Sequence, residues 1–118
     1  MDYSFLQKKV NHFILSLEDG KFDCKEYLEI ERNLLSISSY YEKDSNLEKK
    51  IVEMFYDFVS SINSSYYFHI NENDVFEVED IDIDLFKSYC DRASLLMGIL
   101  LGKFSYSSQS YYFSWSLI

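Results

Sequence analysis

Residues 71–84, NENDVFEVEDIDID, hold seven acids and no base: Glu72, Asp74, Glu77, Glu79, Asp80, Asp82 and Asp84. Carboxylates at that density can coordinate a metal, open a helix, or meet a positively charged partner. A calcium-binding EF-hand loop needs a glycine at its sharp turn and a glutamate at its twelfth position. This stretch has no glycine and a different spacing of acids. No metal and no other cofactor is therefore expected.

Catalytic chemistry finds as little support. His12 falls on the polar flank of the first helical segment and His69 in a stretch without clear periodicity; neither stands by a Ser or Cys placed as a nucleophile. A glycine-rich phosphate loop, a nucleophile elbow and zinc-ligand spacing are all missing from the chain. The expectation is a protein that binds and does not catalyse.

Two of the seven acids have a structural reason to exist. Asp82 and Asp84 stand at the start of an apolar-periodic segment, where the helix dipole favours each by about 0.3–1 kcal/mol. Glu72, Asp74, Glu77, Glu79 and Asp80 have no such role, and their mutual repulsion opposes compaction. Beside them lies the aromatic cluster SSYYFH (64–69). Tyrosine is enriched where proteins meet proteins, because it offers large area at low entropic cost. Tyr66, Tyr67 and Phe76 are accordingly the expected apolar anchors of an acidic docking surface. Glu53 and Asp57, one helical turn apart, are second-choice contacts.

The net charge of -9 and a pI near 4.5 repel phosphate backbones, so direct nucleic-acid binding is not expected. A basic protein partner is attracted.

The elements that must position these residues are helical. The chain has 118 residues, enough for one core, with no proline and three glycines to interrupt regular structure. Phe5, Leu6, Val10, Phe13, Ile14 and Leu17 form one stripe at three- and four-residue spacing, ended by Gly20. A second helix begins at Asp23 with Glu26 as its capping partner and runs to about Tyr41, with Glu29, Glu31 and Arg32 on its polar face. Ser45 with Glu48 repeats that signal, and a third apolar face extends to about Asn63. The fourth helix starts at Asp82 or Asp84 and stops near Gly102.

The expected fold is all-α: an antiparallel four-helix bundle over about 3–103, within a single domain of residues 1–118. Residues 65–81 fit less well, and VFEVE (75–79) alternates as a short strand does. The aromatic tail 104–118 is either an extended segment on the bundle, paired with 75–79, or a frayed end. Cys24 and Cys90 lack CxxC spacing and read as reduced core thiols. The longest apolar run, LLMGILL (95–101), is far below the ~20 residues that span a bilayer. With no h-region after Met1, a cytoplasmic protein without membrane contact is expected.

The segment FILSLEDGKFDCKEYLEIERNLL (13–35), followed by VEMFYDFVSSINSSYY (52–67), the acidic stretch and a last helix, gives a pattern over residues 5–103. It resembles the colicin D immunity family and related immunity proteins of contact-dependent growth inhibition systems. The resemblance implies a helical bundle that binds a nuclease toxin domain, in that family a tRNase, one-to-one and covers its basic active site. The alternative from a different class is a small non-catalytic adaptor or regulatory subunit of a larger complex, assembled through the aromatic tail.

Overall fold

In a computed structural model of the chain, residues 2–42, 46–71, 77–79 and 81–106 are described. Among them stand four helices: α1 (Ser4–Glu18), α2 (Cys24–Tyr41), α3 (Lys49–Ile70) and α4 (Ile83–Leu100). Their boundaries follow local chemistry. The Asp23 carboxylate accepts the Glu26 N–H at 3.0 Å and starts α2. Asp82 does the same for α4, accepting from Asp84 at 2.7 Å and Leu85 at 3.3 Å. Gly20 and Gly102 end their helices at positive φ.

Two expectations are corrected. The N-cap of α3 is Glu48, not Ser45, and its side chain makes no capping bond. That helix also continues past Asn63 to Ile70, so SSYYFH belongs to it. Its apolar face explains why: Ile51, Phe55, Phe58, Ile62 and Ser65 are all buried, and a seated helix keeps its hydrogen bonds through residues of modest propensity.

Contacts between helices give their directions. Lys9 pairs with Glu29 and His12 with Glu26, so α1 and α2 are antiparallel. Tyr66 packs on Phe86, while the Cys90 thiol points at the Ile62 carbonyl, so α3 and α4 are antiparallel too. The two hairpins stack with α3 beside α1 and α4 beside α2. Short connections favour neighbouring α2 and α3, yet here these helices stand on diagonal corners. The core is aromatic at its centre, where Tyr27 stacks on Phe58 at 5.5 Å and meets Tyr89 at 4.5 Å.

Inside that core lies an ion pair. The Arg92 guanidinium grips both oxygens of Glu31, with Nε donating to Oε2 at 2.9 Å. Only 3% of Glu31 and 1% of Arg92 is exposed. The placement of Glu31 on a polar face with Glu29 and Arg32 is thus overturned: Tyr27, Glu31 and Leu34 share one buried stripe. Burial pushes the Tyr27 hydroxyl well above its usual value, and the charge of neighbouring Glu31 adds to this. No helix among the described residues is long and apolar enough to cross a membrane.

Candidate functional site

The acidic connection between α3 and α4 is anchored at the end of the bundle where α1 turns into α2. The Glu79 N–H donates to the Gly20 carbonyl at 2.7 Å, and Glu79 forms an isolated parallel bridge with Lys21. The Val78 N–H donates to His69 Nδ1 at 3.0 Å, which places the ring's hydrogen on Nε2. His69 in turn packs on Phe86 with ring centres 5.6 Å apart. Val78 is 4% exposed, while Glu77 and Glu79 on either side of it are exposed. Extended backbone sends successive side chains to opposite faces, so one valine holds two carboxylates outward.

Gly20 makes this approach possible. Its φ is +81°, and a Cβ there would stand 2.6 Å from the Glu77 carbonyl oxygen. Of the expected strand 75–79, residues 75 and 76 lie outside the described residues, and Glu79 makes an isolated bridge to Lys21 and no strand; the tail proposed for that pairing lies largely outside the described residues.

Around this anchor the charge is one-sided. The described residues of 18–26 and 77–84 hold eight acids (Glu18, Asp19, Asp23, Glu26, Glu77, Glu79, Asp82 and Asp84) and two lysines, Lys21 and Lys25. Asp23 and Asp82 serve as caps. Glu18 and Asp19 are placed against the grain, at the C-terminal end of α1, where the helix dipole disfavours a negative charge.

Apolar groups border the same end. Tyr67 is 60% exposed, with Phe68 and Ile70 beside it on α3 and Ile83 and Leu85 on α4. Tyr66 is half-buried, its ring edge-on to Phe86 at 5.3 Å with the Lys87 ammonium 5.9 Å away. Of the expected contacts, Glu77, Glu79, Tyr66 and Tyr67 therefore meet at one end. Glu72, Asp74, Phe76 and Asp80 lie outside the described residues. Glu53 and Asp57 are exposed further down α3.

A groove of about 600 Å³ runs between α1 and α3, lined by Ile14 and Glu18 from one helix and by Asp57, Ser60, Ser61, Ser64, Ser65 and Phe68 from the other. Sequence reasoning passed over Glu18 and the four serines. Their signal was present: SSINSS places hydroxyls at four-residue spacing inside a helix, where serine is a mediocre former. Among the described residues no three His, Cys, Asp or Glu side chains gather as metal ligands. Both cysteines are free, and burial pushes the Cys90 thiol up to about 12.

Comparison of the chain with protein-family models, with curated proteins and with solved structures gives no match.

Proposed function

We propose that this protein is a non-catalytic inhibitor that binds a basic nuclease toxin domain and covers its phosphate-binding site, as an immunity protein does. What carries the reading is the concentration of charge at one end of the bundle, eight carboxylates against two lysines. Two of them, Glu77 and Glu79, are held outward by the buried Val78, and exposed aromatics flank this end. Folding alone does not call for this arrangement, because like charges repel and two of the acids oppose a helix dipole. A nuclease is positive where it holds its substrate's backbone, so this end and such a site are complementary. Complementary fields also speed encounter, which matters to an antidote.

The experiment is capture from source-cell lysate with wild type and with Glu77→Lys/Glu79→Lys, followed by a nuclease assay of the captured protein. Recovery of a basic nuclease that the wild type silences, with association slowed on the order of tenfold in the variant, supports the reading. Capture that is equal for both, or of a partner without nuclease activity, refutes it. Capture that instead fails on removal of 104–118 points to the adaptor.

A further inference from the structure

The groove between α1 and α3 shares Glu18 with the acidic end and Asp57 with the second-choice contacts; its other lining residues belong to no contact assigned above. Its two acids, Glu18 and Asp57, come from different helices, and neither is in an ion pair among the described residues. A second feature is independent of their charge. Ser65 lines the groove and is only 8% exposed, yet its hydroxyl makes no hydrogen bond among the described residues. Among the described residues every side-chain nitrogen or oxygen sealed from solvent has a partner. The Ser65 hydroxyl is therefore not sealed: it keeps some contact with solvent, in a mostly buried residue of the groove wall, without a partner among the described residues. Phe68 adds an aromatic ring, 44% exposed, at one end.

We infer that this groove seats an arginine side chain of the basic protein partner, an inference that rests on the inhibitor reading above. The guanidinium carries five donors in a plane, enough in number for two carboxylates and a hydroxyl. Its face stacks on an aromatic ring, and it is more weakly hydrated than an ammonium. A lysine brings a strongly hydrated point charge that cannot use the spread of acceptors or the ring as well. The groove's volume falls within the roughly 300–1,000 Å³ of sites that hold small ligands. No lysine or arginine lines it to compete.

The test needs no partner. The isotope-labelled full chain is titrated with Nα-acetyl-arginine amide, and backbone amide shifts are followed by NMR, with the lysine and citrulline amides as controls. Saturable shifts at residues 14–18 and 57–68 are expected with arginine, at least threefold weaker with lysine and absent with citrulline. Glu18→Gln/Asp57→Asn should weaken arginine at least tenfold while leaving the spectrum of a folded bundle. Shifts confined to 77–84, an equal response to citrulline, or an undiminished response in the double variant would each overturn the inference. Because capture by the acidic end is scored with Glu77 and Glu79, the groove can fail while the inhibitor reading stands, and the reverse.

Discussion

Arg92→Met is the substitution with the largest consequence that the structure defines. Glu31 and Arg92 are almost wholly buried and joined by two parallel hydrogen bonds. Removing the guanidinium leaves a carboxylate without its counter-charge in the core, a loss of about 3–5 kcal/mol. Against a total stability of about 5–15 kcal/mol, that is a fifth or more. For a chain of this size each kcal/mol moves the midpoint by roughly 3–6 °C, so Tm should fall by about 10–25 °C. Glu31→Leu should do comparable damage by stranding the arginine.

The double variant is the discriminating one. With both charges gone and apolar groups of similar volume in place, stability should return to within about 1 kcal/mol of wild type. The assay is thermal and urea unfolding followed by circular dichroism, arranged as a double-mutant cycle. If either single change costs under ~1 kcal/mol, the pair is not desolvated as described. If the double loss equals the sum of the singles, the two residues are not coupled. Either result refutes the reasoning.

Other consequences are smaller. Gly20→Ala forces a Cβ into the left-handed region at about 1–2 kcal/mol and towards the Glu77 carbonyl, so the Val78 amide should lose hydrogen-exchange protection while helix content holds; unchanged protection would contradict the docking. The hydrogen bond that His12 Nδ1 donates to the Glu26 carboxylate raises the His12 pKa above its ordinary 6.5. That pair stabilises fully below 6.5 and its contribution fades as pH rises through the raised value; an NMR titration should show this, and Glu26→Gln should return His12 towards 6.5. With its pKa near 12, roughly one Cys90 in ten thousand is thiolate at pH 8. Iodoacetamide should therefore modify half-buried Cys24 well before Cys90 in the folded chain, and equally in urea; equal rates without urea would contradict the burial.

Much of the fold was legible because helices are local. The stripes Leu6 to Leu17 (the expected Phe5 is 73% exposed and stands outside it) and Tyr27 to Ile37, the caps Asp23 and Asp82, and the stops at Gly20 and Gly102 depend on neighbours within four residues. Where local signals were weak, the reading failed. Ser45 looked like a cap, and residues 65–70 looked irregular; burial of the α3 face decided both. Of the site, the charge was legible and its geometry was not. Nothing local says that the backbone of 78–79 docks on His69 and Gly20, or that Glu18 and Asp57 line one groove.

The sequence by itself determined that this chain is helical, where most of its helices begin and end, and that its negative charge is concentrated. Periodicity, capping and composition are properties of short segments. Only the tertiary structure decided that α2 and α3 stand diagonally, that Glu31 meets Arg92, and that the acids of two distant segments form one face. Those outcomes rest on contacts between residues far apart in sequence, such as Glu31 and Arg92, 61 positions apart. Such contacts are chosen by the shapes and charges of whole faces packing together, which no window of sequence contains.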